Sequence, residues 1–219
     1  MQPDPIILAF DTSAAHCAAA LLRGDEIVAL RHEEMAKGQA ERLMPLLEEV
    51  LAEGGASWSD LDAIGVGVGP GNFTGIRISV SAARGLALSL GIPAIGVSTL
   101  EALAFGVDTT ILCSVDARRE MLYTQAFNDG TASSPILTSF DDIPLPNPKA
   151  EANVVGHRAG EIANRTGGQV VAAAFPFTEA IARKTKARMH NVQLPRPAPL
   201  YIRTADAAPP RDPAPVILD

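Results

Sequence analysis

The stretch PIILAFDTSAAHCAAALLRGDEIVALRHEE, residues 5–34, predicts three consecutive β-strands. An apolar run from Ile6 to Phe10 precedes the polar turn Asp11-Thr12-Ser13, a second apolar run follows, and Gly24-Asp25 turns the chain into a third. The pattern recurs in TTILCSVDARREMLYTQAFNDGTASS, residues 109–134, where Asp116 again ends an apolar strand. The recurrence predicts two halves of similar architecture.

Helical segments lie between the two copies. AERLMPLLEEVLAEGG, residues 40–55, has apolar residues at helical spacing and ends at two glycines. Further alternating segments complete the first half as β-β-β-α-β-α-β-α, which predicts an α/β fold with a mixed sheet and helices on its faces. The apolar stripe consists of Leu43, Leu46, Leu47, Val50 and Leu51.

The domain prediction follows from the repeat. Residues 1–108 form the first lobe, and residues 109–204 form a second lobe that is shorter of helix. Residues 205–219 are rich in proline and lack periodicity, so they are predicted to be a disordered tail.

A glycine-rich stretch, GVGVGPGNFTGIRISVSAARGLALSLG at residues 65–91, invites comparison with phosphate-binding loops. It lacks the lysine of a P-loop, and the spacing of Gly69, Gly71 and Gly75 differs from the dinucleotide fingerprint. We therefore predict a structural strand-to-helix turn. Pro70 tightens its bend, Thr74 caps a helix that starts near Ile76, and Gly75 permits close backbone approach.

The helix after this turn is apolar on nearly all sides. Such a helix lies either deep in a core or between its own sheet and a partner. One face is formed mainly by small residues, namely Ser79, Ala82, Ala83, Leu86, Ala87 and Leu90. The opposite side has Ile76, Val80 and Leu88.

Composition limits the classes of function. The 219 residues are 47% hydrophobic with a net charge of −7, which divides into −8 for residues 1–110 and +1 for the remainder. An acidic first half is a poor binder of RNA, because phosphate contacts need clustered cations. Without a signal sequence, a long apolar segment or paired cysteines, the chain is predicted to be soluble and cytoplasmic, with buried Cys17 and Cys113.

The residues that end the first strand of each half are candidates for chemistry. Asp11, Thr12 and Ser13, with Asp116 in the second half, are either remnants of phosphate-binding hairpins or local turns. The four histidines are scattered, which argues against a metal site. A basic cluster is either a solvated helix end or an RNA contact. It consists of Arg183, Lys184, Lys186 and Arg188.

Several of these segments together resemble one family. The opening ILAFDTSAAHCAAALL, the GPGxFTGxR pattern at residues 69–77, the later SVDARREMLY and the late APLYIRTAD are similar to bacterial TsaB chains. The resemblance runs from about residue 6 to residue 205. It implies the actin-like, Hsp70-like ATPase superfold, with two ribonuclease-H-like lobes of which the second is reduced.

The resemblance also implies a function. TsaB is the non-catalytic dimerisation subunit that binds its paralogue TsaD, and with TsaE is required for threonylcarbamoylation of the adenosine beside the anticodon of tRNA. It implies a homodimer in isolation, indirect contact with tRNA, no membrane, no tightly bound cofactor, and ATP or ADP with magnesium only through partners. Gln39-Ala40-Glu41 stands where related chains often have His-Ser-Glu.

On this resemblance, two helices of the first lobe form a four-helix bundle with their counterparts in TsaD or in a second copy. The residues expected at that interface are Leu43, Leu46, Leu47, Val50, Ile76, Ser79, Val80, Ala82, Ala83, Leu86 and Ala87. Two alternatives stand beside this function: an independent ATP-dependent phosphotransferase of the same superfold, and a protease. The second needs a metal site or a nucleophile–base pair, and the sequence shows neither.

Overall fold

The structure, a computed structural model, describes residues 4–128, 130–144, 153–191 and 193–202. The first half has the predicted order β-β-β-α-β-α-β-α. Its elements are β1 (Ile6–Asp11), β2 (His16–Arg23), β3 (Glu26–Glu34), α1 (Gln39–Glu53), β4 (Ala63–Gly67), α2 (Phe73–Leu90), β5 (Ala94–Val97) and α3 (Thr99–Ala104). The second half contains β6 (Ile111–Asp116), β7 (Met121–Asn128), β8 (Thr131–Ala132), β9 (Ile136–Ser139), β10 (Asn153–Gly156), α4 (Ala159–Thr166) and α5 (Phe177–Arg188).

The first sheet has the strand order β3-β2-β1-β4-β5. β1, β2 and β3 are antiparallel neighbours, whereas β4 is parallel to β1 and β5 is parallel to β4. β1 and β4 are buried on both faces, as their unbroken apolar runs require. The predicted mixed sheet is therefore confirmed.

Helices cover both faces of this sheet. α1 and α2 pack on one face around Leu8, Phe10 and Val66, and α5 packs on the other around Ile7 and Ala9. The leucines of the α1 stripe are almost fully buried, and each contributes about 1.5–3 kcal/mol by leaving water. The α1 stripe is thus what attaches this helix to the sheet.

The second sheet repeats the pattern of the first in reduced form. Its strand order is β10-β6-β7-β8, with β9 also paired to β7. β6 and β7 are antiparallel like β1 and β2, and β10 is parallel to β6 as β4 is to β1. Asp11 and Asp116 both end the first strand of their sheet, so the predicted repeat is confirmed.

The division at residue 108 is wrong for α5. Although this helix follows the second sheet in the chain, its buried Ala180, Ile181 and Ala182 pack on β1, β4 and β2 of the first sheet. α3 does the opposite, since Leu100 joins the core beside Ile111 of the second sheet. Apolar periodicity identifies these helices but does not reveal which sheet they cover. The predicted tail, residues 205–219, lies outside the described residues.

Two details of α2 correct the sequence prediction. The helix begins at Phe73, earlier than the predicted start near Ile76, and its N-cap is Asn72 instead of Thr74. Leu88, on the side opposite the small residues, is 83% exposed. The helix has one buried face and one open face, because only one side of it rests on the sheet.

Candidate functional site: the α1–α2 face and the strand-end hairpins

The turn between β4 and α2 is closed against the chain itself. The Asn72 side chain accepts hydrogen bonds at 3.0 Å from the backbone N–H groups of Thr74 and Gly75. Its own backbone N–H donates to the Ser13 carbonyl oxygen at 2.6 Å. The amides of Asn72, Thr74 and Gly75 at this helix start are therefore engaged within the chain, which favours a structural turn over a phosphate-binding loop.

Gly75 allows this turn to contact the connection between β1 and β2, which contains Thr12 and Ser13 and is called the first strand-end hairpin here. A side-chain carbon at this position would overlap the backbone oxygen of Thr12. A Cβ on Gly71 would likewise overlap the backbone oxygen of Ser13. The two glycines are required by close backbone approach, and the packing partner is protein.

Asp11 is buried beneath this contact. Its Oδ2 accepts hydrogen bonds from the Ser13 backbone N–H at 2.8 Å and the Ser13 hydroxyl at 2.9 Å, and lies 2.7 Å from Nε2 of His16. Its Oδ1 packs against Gly67 and has no hydrogen-bond partner. Asp11, Thr12 and Ser13 are all inaccessible to solvent or nearly so, and a phosphate could reach them only if α2 moved away.

Asp116 has the opposite environment. It is exposed, and its Oδ1 accepts a 2.9 Å hydrogen bond from the backbone N–H of Arg118 in an Asx-type turn. The two strand-ending aspartates therefore share a position in the fold but differ in access. The carboxylate that a solvent ion could reach is the one in the second lobe.

The residues predicted to face a partner lie mostly in the core. Nine of the eleven are buried in the chain alone: Leu43, Leu46, Leu47, Val50, Ile76, Ser79, Val80, Ala83 and Ala87. The remaining two, Ala82 and Leu86, are partly buried. This corrects the assignment for the nine buried residues, because their side chains are already covered within the chain, while the assignment of Ala82 and Leu86 stays a prediction.

A different set of residues forms the open side of the two helices. We call it the α1–α2 face. Its members are exposed and comprise Glu41, Met44 and Glu48 of α1 with Arg77, Ser81, Arg84, Gly85 and Leu88 of α2. The α2 members recur at helical spacing, and the space around Gly85 is open. The face combines an exposed leucine, the two small residues Ser81 and Gly85, acidic side chains on α1 and basic side chains on α2.

An aromatic cluster lies at the start of α2. The Arg77 guanidinium stacks on the Phe73 ring at 3.7 Å from its centroid, and its Nε donates to the Tyr201 hydroxyl at 2.8 Å. Phe73 and Tyr201 are each about half exposed, and their ring centroids lie 5.6 Å apart. Aromatic and arginine side chains are the types that dominate binding energy at protein interfaces.

Comparison with known proteins identifies the family. The family model described as TsaD, tRNA N6-adenosine threonylcarbamoyltransferase, matches residues 32–200. The Escherichia coli K12 protein described as tRNA threonylcarbamoyladenosine biosynthesis protein TsaB is 38% identical over 122 residues, which are 53% of this chain and 52% of that protein. The chain belongs to the TsaB family.

Solved structures confirm the fold of this TsaB-family chain. YeaZ from Pseudomonas aeruginosa has a TM-score of 0.71 at 27% identity, over 90% of this chain and 99% of that one. EutJ from Carboxydothermus hydrogenoformans, at 13% identity and a TM-score of 0.51 over 83% and 90%, shares the fold alone. The predicted superfold with two lobes is confirmed, while the chain spans about half the length of the curated relatives it matches.

The basic cluster of this TsaB-family chain is neutralised within the protein. Arg183 pairs with Glu179 at 2.8 Å, Lys186 with Asp25 at 2.7 Å, and Arg188 with Glu101 at 2.5 Å. Two of these three acids, Asp25 and Glu101, belong to the first lobe.

Lys184, the fourth member, lies 5.5 Å from the Phe105 ring centroid, and burial lowers its pKa. Lys184, Lys186 and Arg188 thus hold α5 on the first lobe, whereas Arg183 is paired within α5 itself.

The cysteines are unsuited to nucleophilic chemistry. Burial raises the pKa of Cys17 to about 11 and that of Cys113 to about 12, so both thiols stay protonated near neutrality. Within the described residues, no group of three or more His, Cys, Asp or Glu side chains is arranged to hold a metal ion. No helix there is both long and apolar enough to cross a bilayer.

Sequence reasoning missed several surface residues of the TsaB-family chain. Arg77, Ser81 and Arg84 mark the open side of α2 in the sequence, and their helical spacing with Gly85 and Leu88 is the signal that could have identified those two residues as exposed. Tyr201 lies 124 positions from its partner Arg77, and no local pattern links them. A signal was present for Phe73, since a large aromatic immediately after an N-cap asparagine is an unusual choice for an exposed position.

Proposed function

We propose that this chain is a non-catalytic docking subunit for threonylcarbamoylation of tRNA adenosine, and that its α1–α2 face binds a partner of the TsaD type. Membership of the TsaB family supports the process, since the relatives are named for threonylcarbamoyladenosine biosynthesis. The observation that carries the docking role is the pairing of a buried inner side and an open outer side on α2, with Leu88 83% exposed.

The shape of the face favours a pair of helices as its partner. Ser81 and Gly85 are small and exposed, so a second helix can approach α2 closely at these positions. The burial of one more leucine, Leu88, contributes about 1.5–3 kcal/mol to such a contact. The result is a four-helix bundle, with two helices from each chain.

The charges of the face favour counterpart helices of the same kind. Glu41 and Glu48 lie on α1, and Arg77 and Arg84 lie on α2. A two-fold arrangement that packs α1 of one chain against α2 of the other brings opposite charges together. We propose that TsaD takes this position in the active complex and that a second copy of the chain takes it in isolation.

The closed first hairpin supports a non-catalytic role. Asp11 is fully buried, and its one oxygen without a hydrogen-bond partner packs against Gly67, so a hydrated magnesium ion could reach the carboxylate only if this packing opened. We propose that the chain holds no cofactor tightly, that ATP or ADP with magnesium enters through the partners TsaD and TsaE, that tRNA is contacted indirectly, and that the complex works in the cytoplasm. No observation favours the phosphotransferase or the protease over this function.

An omission assay tests the proposal. TsaD, TsaE, the threonylcarbamoyl-adenylate synthase, tRNA, ATP, threonine and bicarbonate are combined with or without this chain, and the tRNA nucleosides are analysed. We expect modified adenosine only when the chain is present. Equal modification without it would overturn the proposed function, and co-elution with TsaD in the same samples reports docking separately.

A further inference from the structure

The outer edge of β5 presents backbone hydrogen-bonding groups that the sheet does not use. β5 is the last strand of the first sheet, with β4 as its neighbour. The Val68 N–H donates to the Val97 carbonyl oxygen at 3.0 Å, so the backbone groups of Val97 face β4. Because these groups alternate in direction along a strand, the N–H and C=O groups of Ala94 and Gly96 face outward. Among the described residues, no hydrogen bond from outside the sheet reaches Gly96.

A cavity of about 330 Å³ lies beside this edge, between β5 and residues 194–198. Gly96 is part of its wall, and the side chains of Val68, Ile95 and Leu194 make most of the rest apolar. Its volume is near the lower end of the range for ligand pockets, about 300–1,000 Å³. The cavity therefore joins an open strand edge to an apolar surface.

The missing side chain of Gly96 keeps this arrangement in place. A Cβ at this position would lie 2.7 Å from Cγ1 of Val68 and 3.4 Å from Cβ of Pro197. The Leu200 N–H donates to the Val68 carbonyl oxygen at 2.8 Å, which anchors the chain just beyond residues 194–198. The glycine thus lets that segment lie close to β5 and leaves its own backbone in the cavity wall.

Two arginines and no acidic residue line the cavity. Arg188 is paired with Glu101 at 2.5 Å, so its charge is compensated. Arg196 is exposed, and no acidic side chain of the described residues lies within 4.0 Å of it. The positive charge of Arg196 is therefore the uncompensated charge at this apolar cavity.

We propose that the cavity binds the carboxyl-terminal residues of an extended peptide, which adds a strand to the edge of β5. The peptide backbone pairs with the outward N–H and C=O groups of Gly96. An apolar side chain of the peptide packs against Val68 and Leu194, and its terminal carboxylate pairs with Arg196. An added strand gains affinity from main-chain hydrogen bonds and specificity from the pockets that receive its side chains.

The size and charge of the cavity favour the end of a peptide over a segment that continues past it. A cavity of about 330 Å³ holds only a few residues. A guanidinium pairs with a carboxylate through two parallel N–H···O bonds, and a chain end provides that carboxylate beside an apolar residue. The site does not rest on the proposed docking function, because none of its residues belongs to the α1–α2 face.

Fluorescence polarisation with the full chain tests the site. The first probe is a fluorescein-labelled Gly-Ser-Gly-Val-Val-Val peptide with a free carboxyl terminus. The second is the same peptide amidated, and the third is amidated with an aspartate in place of the middle valine. The test variant is Arg196→Gln, and the matched control is Arg119→Gln, which removes the same charge from an exposed position in the second lobe.

We expect the free-carboxyl peptide to bind the wild type about tenfold more tightly than the amidated one. Arg196→Gln should remove that difference, and Arg119→Gln should keep it. No binding by the wild type, equal affinities for the first two peptides, or equal effects of the two substitutions would overturn the proposal. Tightest binding of the aspartate peptide would also overturn it, since the carboxylate recognised would then belong to a side chain.

Backbone methylation of the peptide tests the added strand without altering the protein. Two further free-carboxyl peptides each carry an N-methyl group, one on the last valine and the other on the valine before it. We expect only one of the two to lose affinity, because neighbouring N–H groups of a strand point to opposite sides. Equal affinities of the two methylated peptides would exclude pairing with the edge of β5.

Discussion

Thr12 donates its hydroxyl hydrogen to the carbonyl oxygen of Gly75 over 2.7 Å, which ties the first strand-end hairpin to the first turn of α2. Both residues are buried, and the two backbones touch at this point. The contact explains why a stretch that looks like a phosphate loop is filled by protein. It also makes the glycine-rich turn sensitive to small substitutions.

Gly75→Ala is expected to destabilise the chain, because the added methyl group overlaps the Thr12 carbonyl oxygen. Such overpacking typically costs about 1–3 kcal/mol. Gly85→Ala is the matched control, since its Cβ meets open space, and it should stabilise α2 by about 0.5–1 kcal/mol. Urea unfolding of the two variants measures both effects. Equal changes in the free energy of unfolding would contradict the close contact.

Asn72→Ala should cost about 0.5–2 kcal/mol, since two backbone N–H groups lose their acceptor. Thr74→Ala, made at the residue that the sequence suggested as the cap, should leave the free energy of unfolding within about 0.5 kcal/mol. Thermal unfolding followed by circular dichroism compares them. If Thr74→Ala were the more damaging change, the cap would have been assigned to the wrong residue.

Leu88→Arg should prevent the docking proposed for the α1–α2 face without harming the fold, because the side chain is 83% exposed. Loss of a central apolar contact and introduction of a charge should weaken complex formation by about 2 kcal/mol or more. Gly85→Trp should act in the same direction by blocking close helix approach. The measurement is co-elution with TsaD in size-exclusion chromatography.

Val170→Arg is the control for this experiment, as it places the same charge on an exposed apolar residue that lies in the second lobe, outside the α1–α2 face. It should co-elute with TsaD like the wild type. If Leu88→Arg also co-eluted normally, the face would not be the docking surface, whatever the result of the omission assay.

The Glu101–Arg188 pair predicts a pH dependence of stability. Burial by itself raises the pKa of Glu101, but hydrogen bonds from Arg188 and the Ser98 backbone outweigh it and leave the pKa below its ordinary value of 4.5. A carboxyl group whose pKa is lowered by folding stabilises the protein above its unfolded pKa, and that contribution disappears as the pH falls through the folded value.

Glu101→Gln should therefore be less stable than the wild type near neutral pH, and the two stability curves should converge in acid. Chemical unfolding over a pH series measures the difference, with the exposed Glu34→Gln as control. A difference that stayed constant into acid would show that the Glu101 charge contributes nothing to holding α5 on the first lobe.

The buried thiols predict slow chemical modification. Because burial raises the pKa of Cys17 to about 11 and of Cys113 to about 12, neither forms much thiolate at mildly alkaline pH. A disulfide reagent such as DTNB should label both slowly in the folded chain and rapidly in urea. Rapid labelling of one cysteine in the folded state would identify a reactive thiol that the packing does not account for.

The sequence by itself determined the helices, strands and turns whose pattern lies within a few neighbouring residues. Periodicity and turn residues, which act over a few positions, predict three of these features. They are the paired apolar runs that end at Asp11 and Asp116, the apolar stripe of α1 and the glycine turn before α2. The family resemblance followed from the same short segments. The structure contains these features as predicted, because residues close in the sequence determine them.

Only the tertiary structure decided which faces stay open and which distant residues meet. It placed α5 on the first sheet, showed that the basic cluster is paired internally, and left Leu88 in solvent. Burial depends on which element packs above a residue, and that element lies up to a hundred or more positions away in the chain, beyond the range of any local pattern. The exposed surfaces are therefore visible only once both sheets and their helices are assembled.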